Sequence, residues 1–380
     1  MTGRGAGVTF RPAMSKDLAY LYVHLPFCEV ICHYCDFYTA RAKDARHEDF
    51  FAALTAEAQT QLPSLAPRLK AIYFGGGTPS ASPPALIERF LDLFRDRISA
   101  DTEITLEANP TNINATLVTA WKKAGITRIS LGIQSLDDSM LKKLGRMHSG
   151  ERAISALRMC LAEFENVTGD LIYGVPGQAE EQPAEHAGVM AKLGLKHISA
   201  YNLTLEPTHF LHPKLPDDAF SWKQIQKLAE ILEARGFRHY EISNFGMPGF
   251  ESRNNKNYWA GGGYLALGPS AHGFDGAFTR WRNVADWEKY IRLANLGESV
   301  REEVEELTLE QRRIETIFTS LRTAEGLEIG KFAEKFGQNL LENPAIKECE
   351  KSGLGRVTNG SFVLTFSGRM LGDEIARKLL

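Results

Sequence analysis

Three cysteines, Cys28, Cys32 and Cys35, stand close together in YLYVHLPFCEVICHYCDFYT, residues 20–39. Thiolates are soft metal ligands and nucleophiles, so the spacing C-x3-C-x2-C invites chemistry. Three readings stand open. A structural zinc site needs a fourth ligand, which His24 or His33 could supply. A dithiol redox pair needs only the C-x2-C portion. A 4Fe–4S cluster takes four thiolates as a rule, and with three, one iron keeps an open position for a substrate or cofactor. The other cysteines do not complete a set. Cys160 lies on the apolar face of RAISALRMCLAEF and reads as a small buried hydrophobe. Cys349, in the charged ENPAIKECEKSG, reads as an inert surface or half-buried thiol. This is not a disulfide framework, and it points to a reducing, cytoplasmic setting.

A cysteine loop needs a scaffold, and the first 200 residues supply strand and helix in alternation. Strands are predicted at YLYVHL (20–25), KAIYFGG (70–76), EITLEANP (103–110), RISLGIQS (128–135), VTGDLIYG (167–174) and HISAYNL (197–203). Helical periods lie between them, from HEDFFAALTAEAQTQL to EQPAEHAGVMAKLG, with a shorter DDSMLKKLG in the fourth crossover. Asn114 is placed to cap the helix that runs to Gly125, with Lys122 and Lys123 at the negative end of its dipole. Strict βα alternation implies a parallel sheet, either doubly wound or an incomplete barrel. Both put a ligand at the carboxyl ends of the strands. The unusual residues fall on that rim: the cysteines after strand one, GGGTPS after strand two, EANP, GIQS and GDLIYGVPG after the next three.

Beyond residue 205 the pattern changes. A core extension over 206–300 carries the helix SWKQIQKLAEILEARG, the strand HYEISNF and a glycine-rich loop, NYWAGGGYLALGPSAHGF. The last segment, 301–380, reads as a small helical, winged-helix-like domain. It has a capping box of Thr308 with Gln311, a hairpin at Asn359-Gly360 and a final helix, RMLGDEIARKLL. Residues 1–19 read as a flexible tail in which Met14 is an alternative start. With 44 basic and 47 acidic residues, net charge −3, the chain lacks the cationic balance of a phosphate-driven nucleic-acid binder. It has no apolar run of membrane-spanning length and no secretory h-region.

The cysteine loop behind a first strand, FGGGTPS behind a second, LEANP, ISLGIQS, LGRMHSG, GDLIYGVPGQ and the NYW…GPSAHGF segment occur in one order. Together they resemble the radical S-adenosylmethionine (SAM) superfamily and, within it, the HemN/HemW family, from Tyr20 to the C-terminus. The resemblance implies an incomplete (β/α)6-type barrel spanning 20–205. It implies a 4Fe–4S cluster held by Cys28, Cys32 and Cys35, with exchangeable SAM on the open iron. Tyr22 and Tyr34 are similar to family positions beside cluster and SAM. Gly75, Gly76 and Thr78 would line the SAM backbone, where only glycine permits close approach. Glu107, Gln134 and Asp170, at three successive strand ends, would bond SAM hydroxyl and amino groups. Arg146 would pair with the SAM carboxylate.

Within the family, oxidase-type members carry a further cysteine two residues after the third and a long N-terminal arm. Here that position is Phe37, and only 19 residues precede Tyr20. The resemblance is therefore to the HemW side, which implies heme and SAM as ligands and heme-acceptor proteins as partners. An electron donor such as flavodoxin or ferredoxin would serve the cluster. A coproporphyrinogen oxidase or another SAM-cleaving enzyme is the alternative. One departure concerns the heme motif HNxxYW, which here reads NNKNYW. Asn255, Tyr258 and Trp259 match, but Asn254 stands in place of histidine, and an amide oxygen is a poor iron ligand. His272, in PSAHGF, is the candidate replacement.

Overall fold

The computed structural model describes residues 17–380, the side chain of Asp44 excepted, so most of the expected tail, with Met14, lies outside the described residues. Its last residues are built into the fold. Leu18 is buried, and its backbone bonds to Ser64 and Ala66.

Six parallel strands follow in sequential order: β1 (Tyr20–Leu25), β2 (Ala71–Gly76), β3 (Glu103–Ala108), β4 (Arg128–Gln134), β5 (Asn166–Tyr173) and β6 (His197–Asn202). Their crossovers carry α1 (His47–Gln61), α2 (Pro84–Leu91), α3 (Ala115–Lys123), α4 (Asp138–Lys143), α5 (Gly150–Glu163) and α6 (Gln182–Lys192). The expected second helix is shorter than its apolar period, because the chain tightens to a 3-10 turn over Asp92–Arg97. Asn114 caps α3 by accepting the Leu117 N–H.

A period of two sorts each strand. Leu21, Val23, Ile72, Phe74, Ile104, Leu106, Ile129, Leu131, Val167 and Ile198 join one apolar cluster with the helices. The alternate residues, among them Tyr22, Tyr73, Glu107, Ser130, Asp170 and Tyr201, belong to the other face. That face is polar, which suits a ligand and not a packed barrel core.

The sheet has nine strands and stays open. After α7 (Asp218–Glu233) come β7 (Arg238–Glu241) and β8 (Asn244–Gly246), and later β9 (Leu265–Leu267). Strand β8 runs antiparallel to β6 at one edge, and β9 runs parallel to β1 at the other. Two expectations need correction. HYEISNF is a hairpin and not one strand: the Glu241 carboxylate accepts the Ser243 N–H at 3.1 Å and the Asn244 amide, which holds a reversal at Ile242 and Ser243. The glycine-rich stretch read as a loop contains β9, and its NYW residues end a helix, α8 (Arg253–Trp259), capped by Ser252.

Helix α8 packs against β2. Its start is tied to the amino ends of β3 and β4, where buried Arg128 and Glu103 pair at 3.1 Å. The Arg253 N–H donates to Glu103, and Arg128 donates to the Phe250 carbonyl.

Buried Glu57, on α1, joins three elements. It accepts the Gly268 N–H behind β9 at 2.9 Å, the Asn283 amide at 2.8 Å and the Tyr290 hydroxyl of α9 (Trp287–Asn295) at 2.6 Å. Removing the carboxylate in Glu57→Ala strands three donors. The expected loss is about 3–5 kcal/mol, read by urea denaturation. Burial pushes the Glu57 carboxyl up to about 7, against the three donors. Between about 4.5 and about 7 the folded state then holds more protons than the unfolded state. The stability of wild type relative to Glu57→Gln therefore falls as pH rises through that window and levels above it. A difference that stays flat over the same range would show that the carboxylate is already ionised in the folded state.

A second apolar cluster forms the C-terminal domain. It joins α10 (Leu309–Ser320), α11 (Ile329–Phe336) and α12 (Pro344–Lys351) to a three-stranded antiparallel sheet of Leu327–Glu328, Ser361–Leu364 and Gly355–Thr358. Thr308 and Gln311 form their capping box. Asn359 and Gly360, at φ 51° and 79°, make the tight turn of the hairpin. Cys349 is buried in this cluster, not on the surface, because it faces inward from α12. The last helix breaks at Leu371 into Phe366–Met370 and Gly372–Lys378. Among the described residues no helix is long and apolar enough to cross a membrane.

Candidate functional site

The cysteine loop is anchored at both ends. Phe27 and Cys28 pair with Ala40 and Arg41, and the Phe27 ring packs edge-on against Phe50 and Trp287. Between these anchors the three thiols face a cavity of about 480 Å³ at the carboxyl ends of the strands. Thr78 donates to Cys28 Sγ at 3.3 Å, and Arg146 Nη1 reaches Cys32 Sγ at 3.6 Å. Burial pushes the Cys28 and Cys35 thiols up, so they favour the protonated form until a cation compensates. Among the described residues no three His, Cys, Asp or Glu groups converge to hold a single metal ion. Three thiols on one loop are a soft donor set that fits an iron–sulfur cluster.

The opposite wall comes from β2 to β5. Gly76 has φ +110°, and a Cβ there would stand 2.4 Å from the His24 ring, so only glycine fits. Its N–H donates to Glu107 Oε2 at 3.2 Å, while the Tyr73 hydroxyl donates to Oε1 at 2.7 Å. Burial pushes the Glu107 carboxyl up to about 7, and nearby Asp170 adds to the rise. Asp170 accepts from the Ser130 hydroxyl at 3.2 Å. Burial pushes its own carboxyl up to about 6, with Ser199, Ser130 and Arg146 opposing.

A bulge in β4 turns Gln134 to φ +64°. Gly132 makes room for it: a Cβ there would lie 2.9 Å from Gln134 Nε2 and 3.4 Å from Arg146 Nη2. Arg146 is fixed by a 2.7 Å bond from Nη2 to the Gly132 carbonyl, and its buried Nε has no partner. The cavity thus joins thiols, two half-buried carboxyls and one guanidinium, a set suited to a zwitterionic ligand.

The structure brings Cys28, Cys32, Cys35, Tyr34, Gly76, Thr78, Glu107, Gln134, Arg146 and Asp170 to this one cavity. Tyr22 and Gly75 are not among the lining residues but pack beside one of them, Tyr73. The Tyr22 ring stacks on Tyr73 with centroids 6.1 Å apart, and a Cβ on Gly75 would press on both rings. The heme candidates are not among the lining residues. Asn254 is 2% exposed on α8, whereas His272 is exposed at the start of a strand in a separate antiparallel sheet.

Residues that sequence reading passed over also line the cavity: Tyr73, Ser130 and Tyr201. The signal was the strand period, because each shares a face with Glu107 or Asp170 along or across the sheet.

The family model of the radical SAM superfamily matches residues 22–190, and that of the HemN C-terminal domain matches residues 307–371. A heme chaperone HemW of Bacillus subtilis (strain 168) is 33% identical over 369 residues, covering 93% of this chain and 97% of that protein. Another, from Mycobacterium tuberculosis (strain ATCC 25618 / H37Rv), is also 33% identical and covers 95% of this chain and 94% of its own. The solved structure of coproporphyrinogen III oxidase (HemN) from Escherichia coli superposes with a TM-score of 0.81 at 21% identity. It covers 96% of this chain and 90% of the other, a likeness of fold.

Proposed function

The chain belongs to the HemN/HemW family of the radical SAM superfamily, and from that membership we propose that it is a HemW-type heme chaperone. The family implies a 4Fe–4S cluster and SAM. In this reading Cys28, Cys32 and Cys35 hold the cluster and leave one iron for SAM. When bound, the cluster supplies a low-potential electron and a coordination position. The chain's own residues do the rest. Arg146 pairs with the ligand carboxylate, its position set by the Gly132 carbonyl. Glu107, Gln134 and Asp170 accept from ligand amino and hydroxyl groups. Gly76 and Thr78 allow close approach along the second strand. Tyr34 and Phe37 limit water at the mouth.

The observation that carries the chaperone reading is Phe37, 71% exposed on the cavity lining. Oxidase-type members have a further cysteine at that position. A flavodoxin or ferredoxin as electron donor, cytoplasmic heme-acceptor proteins and heme itself follow from the same reading. A second reading, a coproporphyrinogen oxidase or another SAM-cleaving enzyme, is favoured by the buried Asn254 in place of the motif histidine. The test pairs two assays on anaerobically reconstituted protein. Hemin binding without oxidation of coproporphyrinogen III supports the chaperone. Oxidation of coproporphyrinogen III, with 5′-deoxyadenosine released under reduction, supports the enzyme.

A further inference from the structure

Heme is a flat, apolar macrocycle whose iron takes axial nitrogen donors. Asn254 offers no such donor and lies buried. The mouth of the thiol cavity is different. Val30, Ile31 and Phe37 line it and are exposed, as are Met147 and Phe210 beside it. Single exposed apolar side chains are ordinary, but a contiguous set marks a ligand surface. Two contacts tie Phe210 and the Gly145 turn to the cysteine loop through His33. The Phe210 ring meets His33 edge-on with centroids 5.2 Å apart. The His33 ring lies over Gly145, where a Cβ would stand 3.0 Å away, and Gly145 precedes Arg146 and Met147.

Two imidazoles occur here, 5.6 Å apart, and they differ in what they can do. His209 is used at both nitrogens. Its Nε2 donates to the His33 carbonyl at 3.1 Å, and its Nδ1 accepts the Leu211 N–H at 3.1 Å. The exposed His33 ring has no hydrogen-bond partner among the described residues. We propose that His33 is the axial heme ligand of this protein, with the exposed apolar side chains around the cavity mouth forming the bed for the macrocycle. This rests on the chaperone reading and adds the ligand to it. His209 is a positioning residue: it staples the segment carrying Phe210 to the cysteine loop. Because His33 stands between Cys32 and Tyr34, bound heme would cover the entrance to the thiol cavity.

The test is hemin titration of the reconstituted full chain, followed by difference spectra in the Soret region and by low-temperature EPR. Wild type is expected to give a histidine-ligated spectrum. His33→Ala is expected to lose it and to weaken binding roughly tenfold or more, while iron content and SAM binding persist. Free imidazole should restore the histidine-type spectrum in His33→Ala, which a folding defect would not allow. His272→Ala and Asn254→His should match wild type. A histidine-type spectrum that survives His33→Ala, or that disappears in His272→Ala, overturns the assignment and leaves the chaperone reading standing. No hemin binding by wild type overturns the chaperone reading, and this assignment with it.

Discussion

Alanine at Cys28, Cys32 or Cys35 is expected to abolish the iron–sulfur cluster outright. Anaerobic reconstitution of wild type should give about four iron and four sulfide per chain. Each single variant should fall to background, because three thiolates already leave one iron without a protein ligand. The geometry gives no substitute. Cys160 and Cys349 are buried in separate apolar clusters, at 0% and 4% exposure, and neither lines the thiol cavity. Their alanine variants should keep wild-type iron content. Iron and acid-labile sulfide analysis reads the outcome. Stoichiometric zinc without iron after anaerobic purification would return the loop to a structural site completed by a histidine.

SAM affinity is expected to fall roughly ten- to a hundredfold in Arg146→Ala and in Asp170→Ala, with the cluster retained. The two residues act from opposite sides of the chemistry. Arg146 is held in place before any ligand arrives, by its bond to the Gly132 carbonyl, and keeps a buried Nε with no protein partner. A carboxylate would complete that guanidinium with a charge-assisted pair. Asp170 is half-buried with its carboxyl raised to about 6, so it gains from a positively charged or hydrogen-donating ligand group. Arg146→Lys should recover little, because a point charge does not reproduce the planar fork. Equilibrium dialysis under anaerobic conditions measures the change. Wild-type affinity in both alanine variants would remove this cavity as the SAM site.

The sequence alone determined the parallel order of six strands and the rim on which the cysteines, glycines and carboxylates fall. Both follow from local rules: β-branched runs with period two, helical periods between them, and the right-handed crossover that puts every strand end on one side. The caps at Asn114 and Thr308 and the turn at Asn359-Gly360 were legible for the same reason, since each depends on neighbours within a few residues. Tertiary structure decided what depends on distant partners. The Glu241 carboxylate bends HYEISNF into a hairpin, which no propensity of that stretch discloses. NNKNYW becomes a helix whose start is tied to Glu103, a residue some 150 positions earlier in the chain, and that helix buries the asparagine where a heme ligand was sought. His33 and His209 are 176 residues apart, and only packing of the later segment onto the cysteine loop uses up one imidazole and leaves the other exposed. Sequence spacing sets which residues share a rim; burial and long-range hydrogen bonding set which of them remain free to bind.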